Sequence, residues 1–109
     1  MGKYLRLALK EAYKVKTNRH RIGCVVVKGG KILGVGHNLF TKHAEERATN
    51  GIWHSELVGA TVYVARPMYH KDMTIGLAKP CKNCERLLRD LGIKKVVYSN
   101  NGGWDFERY

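Results

Sequence analysis

An α/β fold, with a mixed sheet of four to five strands and helices packed on it, is what the order of hydrophobic patterns along this chain predicts. Three observations carry the expectation. Helical and strand-like segments alternate along the chain, as they do where helices cover a sheet. The first two strand-like runs are joined by Gly29-Gly30, a hairpin signal. The third and fourth runs are separated by a helical segment, and a right-handed crossover then makes those two strands parallel. With 109 residues, no internal repeat and no low-complexity segment, the chain is expected to form one domain over 1–109.

The elements follow in order. A helix is expected over residues 4–16, where Leu5, Ala8, Leu9, Ala12 and Val15 recur on one face. Residues 23–28 and 31–37 read as the two strands of the hairpin. Ala44-Glu45-Glu46-Arg47-Ala48-Thr49 is a run of helix formers stopped by Asn50-Gly51. Residues 60–65 read as a third strand. The run from Cys81 to Leu91 puts Cys84, Leu87, Leu88 and Leu91 on one face, with Pro80 in the first turn and Gly92 as a stop. Residues 94–99 read as a fourth strand. Asn100-Asn101-Gly102-Gly103 is a turn, and residues 104–109 are a short last strand. Trp104 and Phe106 are read as core or interface anchors, and Trp53 as a cap on the helix of residues 44–49. The 14 residues from 66 to 79 are long for a connector and suit a lid or binding loop. Tyr69 and His70 in that loop can stack on a planar ligand or pack beneath the loop.

Two short motifs carry chemistry. His43-Ala44-Glu45 is followed 35 residues on by Pro80-Cys81-Lys82-Asn83-Cys84. One imidazole and two thiolates form a zinc ligand set. Three protein ligands leave one tetrahedral position for water, which separates a catalytic site from a closed structural one. Both motifs fall at expected helix starts, where backbone N–H groups favour thiolate over thiol. Zinc brings the pKa of its water to about 7. Glu45, two residues from His43, can stand beside the metal without binding it and shuttle protons. The plainer alternative is a structural zinc on the two cysteines and two of His20, His37, His54 and His70. That arrangement leaves Glu45 without a task.

On these residues the chain resembles the cytidine and deoxycytidylate deaminase superfamily, whose signature is His-x-Glu with Pro-Cys-x-x-Cys. Gly36-His37-Asn38 and the run from Gly92 to Ser99 are weaker echoes. The resemblance implies a three-layer α-β-α fold with sheet order 2-1-3-4-5. It implies one zinc ion per chain on His43, Cys81 and Cys84, with Glu45 as the catalytic proton shuttle. Asn38 is then expected to hydrogen-bond the substrate sugar, and Ala44 to lie against the substrate. The implied reaction converts cytosine to uracil in a nucleotide such as dCMP or CMP. Two other readings stay open: a deaminase of cytosine or adenine in single-stranded DNA or RNA, and a catalytically silent zinc-containing nucleic-acid-binding module. A parallel fifth strand needs a connection of about a dozen residues, and ten follow Ser99, so the last strand is expected to be antiparallel. That arrangement is typical of free-nucleoside members, which usually carry Cys in place of His43. The two clues disagree about substrate.

Composition bounds the partners. Lys and Arg number 20 against nine Asp and Glu, for a net charge of +11. Lys3, Arg6, Lys10, Lys14, Lys16, Arg19 and Arg21 are countered only by Glu11 in the first 21 residues, which suits a phosphorylated or nucleic-acid partner as well as a solvated helix face. Neither a membrane-length apolar run nor a signal-peptide pattern is present in the sequence. Three cysteines, two committed to metal, make no disulfide framework. Cys24, in an apolar run, reads as a buried core residue. A cytoplasmic setting and a homo-oligomer are expected.

Overall fold

The computed structural model describes residues 2–16, 21–39, 41–67 and 75–109. Helix α1 (Lys3–Ala12) is followed by strands β1 (Gly23–Lys28) and β2 (Lys31–His37), then helices α2 (Ala44–Thr49) and α3 (His54–Leu57). Strands β3 (Thr61–Pro67) and β4 (Ile75–Gly76), helix α4 (Lys82–Asp90) and strands β5 (Lys95–Asn100) and β6 (Gly103–Arg108) complete the chain. The sheet order is β2-β1-β3-β5-β6, with β4 hung on β3. Counting the five long strands alone, this is the expected order 2-1-3-4-5. The pair β3–β5 is parallel and the others are antiparallel, including the last, β5–β6.

Strand β1 shows why the sheet is covered on both faces. Gly23 to Val27 are all buried, with no polar alternation, as expected for a strand between two layers. Cys24 and Val26 join Val62, Val64 and Val96 in a core with Ala44 and Ala48 of α2, Leu57 of α3 and Leu88 of α4. Val25 and Val27 point the other way and meet Leu5 and Ala8 of α1, with Val97. Glycines let the helices come close at the strand ends. A Cβ on Gly23 would collide with the backbone of Ala8 and Ala12 in α1, and one on Gly36 with that of Ala44, Arg47 and Ala48 in α2. The β1–β2 turn uses Gly29 and Gly30 at φ 58° and 79°, the left-handed region that a tight hairpin requires.

Some expectations are corrected. Helix α1 stops at Ala12, although Val15 stays buried through the turns that follow. Trp53 does not cap α2. It precedes α3 and is 77% exposed. Trp104 and Phe106 are not core residues. Both are exposed on edge strand β6, with Lys95 Nζ 4.7 Å from the Phe106 ring centre. Helix α3 and strand β4 are too short for periodicity to reveal. Tyr69 and His70 lie outside the described residues, as do His20 and Arg19. Among the described residues no helix is long and apolar enough to cross a membrane.

Candidate metal centre and active site

The two motifs meet at the starts of α2 and α4, which bring their ligand residues into one group. His43 is the N-cap of α2, and its backbone N–H donates to Glu46 Oε1 at 3.2 Å. Cys81 is the N-cap of α4, with its carbonyl accepting from Glu85 N–H at 2.8 Å. Pro80 therefore sits one residue ahead of the cap, not within the first turn. His43 Nδ1 lies 3.1 Å from Cys84 Sγ and 3.8 Å from Cys81 Sγ, and the three donor atoms fall within 4.8 Å of one another. Donors around a tetrahedral zinc stand about 3.6–3.8 Å apart, given Zn–N and Zn–S bonds of roughly 2.0 and 2.3 Å. The nitrogen–sulfur donor set suits one zinc ion, and the three atoms are grouped closely enough to reach it after side-chain shifts of several tenths of an ångström. His37 and His54 lie outside this group, and the structural alternative is left without its described histidines.

Glu45 follows the ligand by two residues, on the inner side of α2, and is 4% exposed. Burial lifts its pKa above the ordinary carboxylate range, against the opposing pull of its own backbone N–H, the His43 charge and a hydrogen bond with Cys84. Burial also pushes the Cys84 thiol up, as do the neighbouring Glu45 carboxylate and Cys81. A bound cation reverses that balance by stabilising thiolate. Cys24 is fully buried, as expected. Burial raises its pKa well above the usual thiol value, and the charges of Glu45 and Cys84 raise it further. It packs with Ala44 and Ala48 of α2, the helix that begins beside the ligand His43, which the apolar run around it did not disclose.

Ala44, the first residue of α2, is buried between the ligand and Glu45 in sequence. Asn38 follows β2. Its N–H donates to Ile22 O at 3.2 Å, and its Oδ1 accepts from Ile22 N–H at 2.8 Å. The carboxamide is thereby held by its oxygen, which leaves the Nδ2 hydrogens as donors. A cleft of about 400 Å³ beside the ligands is lined by Thr41, His43, Glu46, Asn83, Cys84 and Leu87. It shares Glu46 and Leu87 with a second cleft of about 500 Å³ that carries Lys42, Arg47 and His54.

An α-β-α layered sheet with a His-Cys-Cys group at two helix starts defines a class of zinc-binding domain. The model of the cytidine and deoxycytidylate deaminase zinc-binding region matches residues 2–100, and the chain belongs to that family. It is 32% identical over 99 residues to the tRNA-specific adenosine deaminase of Streptococcus pyogenes serotype M18, covering 87% of this chain and 59% of that protein. It is 25% identical over 127 residues to the deoxycytidylate deaminase of Mycobacterium phage D29, covering 87% of this chain and 90% of the other. Among solved structures it superimposes on a diaminohydroxyphosphoribosylaminopyrimidine deaminase/5-amino-6-(5-phosphoribosylamino)uracil reductase from Thermotoga maritima with a TM-score of 0.63 at 28% identity, covering 87% of this chain and 28% of that one. The chain thus spans less than two thirds of the Streptococcus relative's length.

Proposed function

We propose that this domain is a zinc-dependent hydrolytic deaminase that acts on a pyrimidine amino group in a phosphorylated nucleotide, with dCMP and CMP as first candidates. The observation that carries the reading is the juxtaposition of His43, Cys81 and Cys84 with a buried Glu45 that is not one of the grouped donors. In this reading His43, Cys81 and Cys84 hold the metal. Zinc bound there supplies a water activated for attack on the amine-bearing ring carbon. Glu45 would take a proton from that water and deliver it to the neighbouring ring nitrogen. It would then take the proton of the newly added hydroxyl, as the carbonyl forms and the C–N bond breaks, and pass it to the amine, which leaves as ammonia. The burial of Glu45 beside the ligand His43, outside the donor group, suits both halves of that task. Ala44 forms a wall against the base, and Asn38 donates from Nδ2 to the sugar. The deoxycytidylate and phosphoribosylaminopyrimidine deaminases named above support a phosphorylated pyrimidine as substrate.

A second reading, deamination of a base within a strand, is favoured by Lys42, Arg47 and His54 in the adjoining cleft, by the net charge of +11, and by the tRNA-specific relative. Ammonia release from dCMP, CMP, deoxycytidine, adenosine and an oligonucleotide panel tests both. Turnover of a mononucleotide that persists in high salt supports the first. Turnover confined to oligonucleotides and falling steeply with salt supports the second. No ammonia from any of them, with zinc bound, refutes both. Trp104 and Phe106 on edge strand β6 support self-association, which sedimentation reads directly.

A further inference from the structure

We propose that Glu11 is a positioning residue for Asn38, acting through His37. The proposal rests on the nucleotide-deaminase reading, in which Asn38 touches the substrate. Glu11 lies on α1, across the sheet from the helices that carry the metal ligands, and is 8% exposed. A carboxylate in so dry a place needs partners to offset its desolvation. Among the described residues it has two: Lys14 Nζ at 2.9 Å on Oε1 and His37 Nδ1 at 2.8 Å on Oε2. Helix α1 is already anchored by Leu5, Ala8 and Ala12, so packing does not require the acid. What it reaches is the last residue of β2.

His37 is gripped from both faces of the sheet. Glu11 holds its ring from the α1 side, and Arg47 Nη1 of α2 donates to its carbonyl oxygen at 3.0 Å. Gly23, which pairs with His37 across the hairpin, has no room for a side chain against α1, and Gly36 has none against α2. Both helices therefore press on the backbone at the point where β2 turns toward the metal. Asn38 is the next residue, and its own amide is tied to Ile22, the residue just ahead of β1. The His37 ring, held by Glu11, adds to the Ile22 bonds in limiting rotation at the end of β2, and so in aiming the Asn38 donors. Without Glu11 the ring is released, and the end of β2 is left with its pairing to Gly23, the carbonyl grip of Arg47 and the two bonds between Asn38 and Ile22, a looser frame for the Asn38 donors.

The test is steady-state kinetics on the zinc-loaded full chain, with dCMP as the first substrate, for Glu11→Ala, Glu11→Gln, Asn38→Ala and the Glu11→Ala/Asn38→Ala double variant. Losing one well-aimed hydrogen bond corresponds to about a tenfold rise in KM. Glu11→Ala is expected to show that rise with kcat within about twofold and zinc content unchanged. Glu11→Gln restores most of it, because the amide oxygen still accepts from His37 Nδ1–H. The double variant is expected to match Asn38→Ala, since the two changes remove one contact. A loss of kcat at constant KM in Glu11→Ala, or independent losses that multiply in the double variant, overturns the proposal. The side-chain amide resonance of Asn38 in nitrogen-15 spectra gives a reading without substrate. It should shift in Glu11→Ala and return in Glu11→Gln, and an unmoved resonance in Glu11→Ala refutes the link even if no nucleotide is turned over. An unchanged KM in Asn38→Ala instead removes the sugar contact itself, and the proposal with it.

Discussion

Gly36→Ala tests the arrangement on which the site depends, because α2 carries both His43 and Glu45 and rests on the backbone of β2. A Cβ built at Gly36 lies 2.6 Å from Ala48 N, 2.9 Å from Ala44 O and 3.0 Å from Arg47 C. All three are backbone atoms, so no change of rotamer relieves the clash. The shortest contact is about 0.8 Å inside ordinary van der Waals separation, and strand and helix must move apart by that order. Overpacking of this kind costs about 1–3 kcal/mol, which lowers the melting temperature by roughly 5–15 °C for a domain of this size. The displacement also carries His43 and Glu45 relative to Asn38. A shift approaching 1 Å at reacting groups costs up to about 100-fold in rate. Thermal melts, zinc stoichiometry and ammonia release would be compared with Gly2→Ala, whose Cβ meets nothing within 4 Å. If Gly36→Ala melts and turns over like the control, helix α2 is not seated on β2 as described.

Other expectations can be checked with the same protein. Glu45→Gln should retain zinc yet lose about 100- to 10,000-fold in kcat, the usual share of a general acid–base, and an active variant would rule out the proton-shuttle role. Since the folded state raises the Glu45 pKa, its carboxylate weakens the zinc-free fold as pH rises from about 4.5. Zinc-free Glu45→Gln should therefore melt higher than zinc-free wild type at neutral pH, with the gap closing in acid. Glu11 has the opposite sign. Burial alone would raise its pKa, but hydrogen bonds and charges from His37 and Lys14 hold it below the usual range. Its contribution is complete above the unfolded-state pKa and is lost as pH falls through the folded one, so Glu11→Gln should flatten stability curves below about pH 4.5. An acid limb identical to wild type would contradict the pairing. His43→Ala should lose more zinc affinity than the roughly 10–100-fold lost on removing an outer partner of a ligand, and full zinc retention by metal analysis would assign the wrong ligand.

Regular periodicity made much of the fold legible. The all-apolar β1, the Gly29-Gly30 turn and the one-sided leucines of α4 each report local geometry and burial together, and their positions in the structure agree with the expected order. Short elements were silent: the four residues of α3 and the two of β4 contain barely one repeat of the pattern they would need to display, too few for a periodicity to show. Trp53 departs from the expected cap because residue type predicts burial only on average, and its place ahead of α3 leaves the ring in solvent.

By itself the sequence determined the donor types, their spacing along the chain and an acid beside one of them, because ligand chemistry is a property of the residues. Only the tertiary structure decided that His43 comes within 3.1 Å of a thiol 41 positions away, that Glu45 is dry, and that Glu11 reaches His37 across 26 positions. Those outcomes depend on how helices on opposite faces press against one sheet. The packing energy is shared among residues distant in sequence, and no local pattern carries it.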